Sequence, residues 1–307
     1  MTVREYISTD ASAPVLSGTA GAFKAVMKAI LVDGYGAKTA AGWAEEFTGT
    51  NLSVFRAASG KRFRWRLDDT GTTECRHVGY VSMSDVNTGT EAFPTAVQLS
   101  GGLYQRKSGT ADATARPWYC IADSTWFFFI SFSAQTVFGN TSNADSSVFF
   151  GDFDSELSGD AYNCAIIGRT TTGTNLDVFG FVQPSGAAFN GHFFPRDFVN
   201  AGTSKSFTKS HAFVKAAGIM GSTTTALGPY PNPISGKINL ARLAILEVVT
   251  SGHEVRGFLP APLQALLLSG LTAFDTFSGA GALAGKNYRI FPIYQGSSSG
   301  AMAIEIP

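Results

Sequence analysis

The chain has 307 residues, enough for one large β domain or two ordinary ones with a substantial core. Its 23 Lys and Arg balance 23 Asp and Glu, and 15% of residues are charged, against roughly 25% in an average globular protein. A neutral chain carries no electrostatic footprint for nucleic acid or for an anionic membrane surface, so neither is expected as a partner.

With Gly at 34 and Phe at 25, the composition points to many turns between aromatic strands and to a surface coated with Ser, Thr, Asn and Gly. No segment reaches about 18 consecutive apolar residues. The opening MTVREYISTDASAP lacks the basic-then-apolar pattern of a secretory leader. Synthesis and folding in a reducing cytoplasm are therefore expected. Cys75, Cys120 and Cys164, odd in number and without a CxxC spacing, fit buried free thiols.

Residues 1–21 read as an extended N-terminal arm, because Pro14 disfavours helix at Ala13 and SGTAG is loop chemistry. Val3, Tyr6, Ile7, Val15 and Leu16 recur along the arm and need something to pack on, either the chain's own domain or the sheet edge of a neighbouring copy. Residues 22–307 read as a single domain with an early helix. In AFKAVMKAILVDGYG, Phe23, Val26, Met27, Ile30 and Leu31 share one helical face, which suits a helix capping its own sheet. From Asn51 the period becomes two. Phe63, Trp65 and Leu67 point one way, while Arg62, Arg64, Arg66 and Asp68 point the other, so 52–83 is a predicted three-strand meander.

Residues 84–114 read as long loops with one short strand at 96–99. The densest apolar stretch follows: Trp126, Phe127, Phe128, Phe129, Ile130 and Phe132. A run without polar alternation predicts a strand covered on both faces. Asp123 and Ser124 before it predict a tight hairpin with WYCIA. Further strands are expected at 148–153, 161–167, 177–182, 211–216, 238–249, 287–294 and 301–306. A turn of helix is expected in 260–268, and GAGALAG at 279–285 reads as a corner. This pattern predicts a mainly β fold, an antiparallel, jelly-roll-like β-sandwich with one or two short helices.

Chemistry is thinly represented. His77, His192, His211 and His253 have no second ligand at metal spacing. GDFDSELSGD brings Asp152, Asp154, Glu156 and Asp160 into one loop. It departs from the EF-hand pattern, with Leu157 at the sixth position and Asn163 at the twelfth. A glycosidase pairing of Asp85 or Asp123 with the 152–160 cluster carries no signature. SGTAG has Thr19 where a nucleophilic Ser would stand. GAGALAG lacks the Lys and Ser/Thr of a phosphate loop. The residues thus name no catalytic, metal or cofactor site, and no cofactor is expected.

Several blocks go further. YISTDASAPVLSGTAG (6–21), ILVDGYGAKTAAGW (30–43), LDDTGTTECRHVGYVSMSDVNTGT (67–90), ARPWYCIAD (115–123), FFGDFDSELSGDAYNCAIIG (149–168), VRGFLPAP (255–262) and DTFSGAGALAGKNY (275–288) run in order along the chain. Together they resemble a family of virion proteins of tailed bacteriophages and prophages. The resemblance implies a non-enzymatic virion structural component, assembled in the tail or baseplate region with other virion proteins and copies of itself, and it transfers no site residues. Two other readings remain open at this level. One is a capsid decoration protein; the other is a module that binds a host-surface glycan through Tyr104, Trp118 or Tyr230. A hydrolase would need carboxylates converging in a deep pocket.

Overall fold

The computed structural model describes residues 2–140, 145–169, 191–196, 198, 240–249, 252–266, 274–292 and 301–307. The chain is mainly antiparallel β, with a large curled sheet and, among the described residues, one short α-helix. The arm enters as strand β1 (Arg4–Ile7), which pairs with a strand of the chain's own sheet. Tyr6 and Leu16 are fully buried there, and Val3 and Ile7 pack on the core. The arm's apolar residues are thus largely satisfied at home; Val15 alone of the five is strongly exposed. Two of its outward-facing groups are also occupied, since Lys38 Nζ donates to Glu5 O (2.9 Å) and Ile7 N–H donates to Asp10 Oδ2 (2.8 Å). A strand edge whose polar groups are taken by side chains is a poor template for a neighbour's strand.

Helix α1 (Ala22–Lys28) continues as a π turn over Ala29–Asp33 and caps the sheet as its apolar stripe predicts. Phe23, Val26, Met27, Ile30 and Leu31 are all buried. Strands β2 (Ala44–Gly49), β3 (Leu52–Arg56), β4 (Arg64–Asp68) and β5 (Glu74–Met83) form a continuous meander, the last three as expected from the period of two. The arginine face of β4 is used for packing and pairing: Arg64 Nε meets Glu46 Oε2 at 2.8 Å, and Arg66 Nε donates to Val86 O at 2.8 Å.

The predicted strand at 96–99 is not present. Thr95 and Gln98 cap each other's backbone N–H groups there and hold a turn. The strands of this region are β6 (Gly89–Phe93) and β7 (Leu103–Arg106), both pairing with β5 and each only four or five residues long, too short for a period of two to stand out.

The aromatic run forms β9 (Trp126–Ser131), between β8 (Trp118–Ala122) and β10 (Ser146–Asp152). The β8–β9 turn sits one residue later than expected. Asp123 N–H bonds to Trp126 O at 3.0 Å, so Ser124 and Thr125 are the loop. Asp123 Oδ1 stabilises it by accepting from Thr125 N–H and Trp126 N–H. Two-residue β11 (Asp154–Ser155) follows, then β12 (Cys164–Arg169), which pairs with β10, β13 (Gly191–Pro195) and β7. The sheet order is β1-β8-β9-β10-β12-β7-β5-β4-β3-β2, with β6 beside β5 and β13 beside β12.

This sheet curls so that its two halves face each other, with the Trp65 and Phe127 ring centroids 4.7 Å apart. The curl is sealed by a buried polar seam in which Gln105 Nε2 donates to Ser131 Oγ (2.7 Å) and Ser146 O (3.0 Å). Close approach also needs Gly168, because a Cβ there would meet His77 Nε2 at 2.9 Å.

The C-terminal part adds two small sheets. Residues 238–249 were expected as one strand. The described part is two, β14 (Leu240–Arg242) and β15 (Ala244–Val249), divided at buried Leu243, and they belong to different sheets. Strand β15 pairs with β16 (Gly252–Phe258), which also pairs with β11. The turn of helix expected in 260–268 is replaced by strand β17 (Leu263–Leu266), because this stretch bonds between β14 and a later strand. Strands β18 (Thr276–Ser278), β19 (Asn287–Pro292) and β20 (Ala301–Ile306) complete that sheet in the order β14-β17-β20-β19-β18, and a 3-10 turn at Gly281–Leu283 forms the corner. The expected strands at 177–182 and 211–216 lie outside the described residues.

Burial follows from this layering. On β8, β9, β10 and β12, Trp118, Cys120, Phe127, Phe129, Val148, Phe150 and Ile166 face the interior of the curl and helix α1. Alternating with them, Tyr119, Ile121, Phe128, Ile130, Phe149 and Ile167 face Leu243, Ile245, Leu263, Phe291 and Ile304 of the C-terminal strands. The four strands are a middle layer, and this is why WFFFIS has no polar phase. Cys75, Cys120 and Cys164 are separate free thiols in this core, and burial raises the pKa of each.

Candidate functional site

The loop joining β10 to β12 carries the carboxylates that the sequence singles out. It borders a depression of about 460 Å³ lined by Lys61, Phe153, Asp154, Ser155, Leu157 and Asn163, among others. The fold sends the carboxylates in different directions. Asp152 turns under the 57–61 loop, where its Oδ2 accepts Lys61 N–H at 2.8 Å. Gly60 (φ +69°) makes that approach possible, since a side chain there would strike the Asp152 carboxylate. Asp154 pairs with Arg242, whose guanidinium lies 4.6 Å from the centre of the Phe258 ring.

Asp160 is buried against Arg256 in a bidentate pair, Nε–Oδ2 and Nη2–Oδ1 both at 2.9 Å, and Ser155 Oγ donates to it at 2.8 Å. Arg256 also donates to Arg196 O and to Tyr162 O (3.2 Å), and it lies 5.1 Å from the centre of the Phe153 ring. Asp152, Asp154 and Asp160 therefore each have their own protein partner, and the loop is tied to β16 rather than wrapped around a shared centre. Among the described residues no three His, Cys, Asp or Glu side chains stand together as a metal-holding group.

The other candidates are dispersed. His77 is in the core beside Trp65, ring centroids 6.0 Å apart. His192 lies on β13 and His253 on β16, while His211 lies outside the described residues. Asp85 sits at an exposed turn, accepting Asn87 N–H (2.7 Å) and Thr88 N–H (2.9 Å). Asp123 is used in its hairpin.

The proposed sugar platform also separates. Trp118 is fully buried with Nε1 bonded to Pro14 O (3.1 Å), Tyr104 is covered by Arg76 at 4.4 Å, and Tyr230 lies outside the described residues. Two buried charge centres were not foreseen. Arg256 with Asp160 joins positions 96 apart, and Lys107 with Asp69 joins positions 38 apart. Asp69 reads as a turn residue in LDDTGT and Lys107 as a loop residue in QRKSG. No local pattern marks either pair.

Two titrating groups set opposed pH dependences. Neither ring nitrogen of His77 meets a protein partner among the described residues, and burial pushes its pKa down to about 3. The unfolded His titrates at about 6.5, so the unfolded state binds the extra proton between those values and stability is lost as pH falls through them. Asp152 behaves oppositely. Burial, reinforced by Asp123 and opposed by the Lys61 N–H bond, raises it to about 7. Its contribution is complete below the unfolded value of about 3.9 and is lost as pH rises toward 7. Each slope has a ceiling of about 1.4 kcal/mol per pH unit, reduced for Asp152 by its partial exposure.

The two contributions offset one another in the parent chain, and single variants should unmask them. Relative to the parent, His77→Leu should lose stability with rising pH between 4 and 6.5, and Asp152→Asn should gain it. Denaturant melts at pH 4, 5, 6 and 7 read the signs. Parallel curves for parent and variants would contradict this assignment.

No protein-family model matches the chain, and no curated protein matches it.

Proposed function

We propose that this chain is a structural protein of a tailed-bacteriophage virion, assembling in multiple copies in the tail or baseplate region through subunit contacts. The observation that carries this reading is where the blocks resembling that family fall. The stretches 115–123 and 149–168 contain β8, most of β10 and nearly all of β12 in the doubly covered middle layer, 6–21 contains the second half of β1 and the rest of the arm, and 67–90 holds β5. The resemblance therefore lies on the scaffold itself.

Asp154 and Asp160 of the carboxylate loop support the same reading, since they fasten the loop to Arg242 and Arg256 of the C-terminal strands. A capsid decoration role would use the same scaffold and differs in location only. Finding this chain in purified particles, and locating it there, tests the proposal.

The blunted edge of β1 makes strand addition at the arm a poor mode of assembly. The opposite edge strand, β2, carries Glu45 and Glu46 and a register shift between Glu45 and Phe47, both devices that discourage edge pairing. Subunit contacts through faces and loops fit this sheet better.

A further inference from the structure

Lys107 and Asp69 make direct contact, and the side chains of both are 0% exposed. Burying two full charges away from water is costly. Burial raises the Asp69 carboxyl pKa, against the pull of Lys107 and of backbone N–H groups.

The two groups are held in complementary ways. Asp69 Oδ2 accepts Lys24 N–H at 2.9 Å, with Phe23 N–H as a second backbone donor to the carboxyl. Oδ1 is the oxygen that faces Lys107 Nζ. Nζ also donates to Thr19 O at 2.7 Å, which fixes the amine from its far side. Asp69 N–H bonds to Asn51 O (2.8 Å) and Gly21 N–H to Asp69 O (2.9 Å), so the carboxyl is anchored at both its main chain and its side chain.

We propose that Lys107 and Asp69 condense to an intramolecular isopeptide bond. The ammonium first passes a proton to Oδ1, giving an amine and a carboxylic acid. The Nζ lone pair then attacks Cγ, and the negative charge develops on Oδ2, which already faces backbone N–H donors of the kind that stabilise an oxyanion. Collapse breaks the Cγ–Oδ1 bond. Oδ1 takes a second proton from nitrogen and leaves as water, and the remaining amide N–H keeps its bond to Thr19 O. One C–N bond forms, one C–O bond breaks and one water is released, with no oxidant, metal or activating co-reactant. Fixing the two groups in contact supplies the proximity that an intermolecular condensation lacks, and exclusion of water protects the product from hydrolysis. The product ties the β4–β5 turn to the segment after β7.

The test is the intact mass of the full chain, denatured after folding at neutral pH. The expected value lies about 18 Da below the sequence mass, one water. Tryptic digestion should fail at Lys107 and yield a branched species in which residues 67–76 are joined to the segment beginning at Lys107. Lys107→Arg and Asp69→Ala should restore the sequence mass. The parent chain kept unfolded in denaturant from synthesis onward should also show it. A cyclic imide at an aspartate would give the same loss, but it would persist in Lys107→Arg and leave Lys107 cleavable in the parent; that result overturns the proposal. So does a folded, aged parent chain at full sequence mass.

Discussion

Phe128→Ala should destabilise the protein by about 3–5 kcal/mol, the cost of emptying a fully buried aromatic site. The ring stands on the outer face of β9, opposite Ile121 of β8 and Phe149 of β10, within the cluster closed by the C-terminal strands. Its neighbour Phe127 points into the curl against Trp65 and Trp43. A sheet covered on one face only would leave one of these adjacent residues in water. Here both faces of β9 are covered, so Phe127→Ala and Phe128→Ala should each lower the denaturation midpoint strongly. A Phe128→Ala chain with the parental midpoint would show that the C-terminal strands do not cover this face.

Arg256→Met should cost about 3–5 kcal/mol while Asp160 remains, because it strands a buried carboxylate. The guanidinium is fully buried and holds Asp160 through two bonds of 2.9 Å. It also joins Tyr162 and Arg196 to β16, so its loss frees the carboxylate loop from the C-terminal part. Burial by itself would raise the Asp160 carboxyl, but bonds from Arg256 and Ser155 prevail and hold it below the usual carboxylate range. Its stabilisation is present above the unfolded carboxylate value of about 3.9 and is lost as pH falls through the lower folded value. Adding Asp160→Leu to Arg256→Met should recover much of the loss, since removing both partners leaves no uncompensated charge. Urea melts of the single and double variants measure this. A double variant no better than the single would show that Arg256 acts through its carbonyl contacts rather than through Asp160.

The features legible in the sequence were those written in local periodicity. The 22–33 stripe, the alternation of Phe63, Trp65 and Leu67, and the phase-free WFFFIS run each reported how many faces their element buries. Local sequence is silent where long-range pairing decides the outcome. The 263–266 stretch has helix-forming Leu, Gln and Ala, yet it becomes a strand because β14 and β20 flank it. Leu240 and Leu246 look like one apolar strand, but buried Leu243 divides them between sheets. In 89–106 the pairing partner is the long strand β5, which carries two short strands along one edge.

The carboxylate loop shows the same limit for sites. Asp152, Asp154 and Asp160 are visible as a cluster in GDFDSELSGD. Their partners Lys61, Arg242 and Arg256 lie far away in sequence, so the cluster's dispersal cannot be read from its own residues. Lys107 and Asp69 were likewise invisible, because 38 positions and several turns separate them.

A density map of intact particles assembled with this chain tests the functional proposal most directly. The account predicts many symmetry-related copies in the tail or baseplate, each showing β8, β9, β10 and β12 as a middle layer and meeting its neighbours through faces and loops rather than through the β1 edge. Particles that lack the chain, with the protein recovered only outside them, would contradict it.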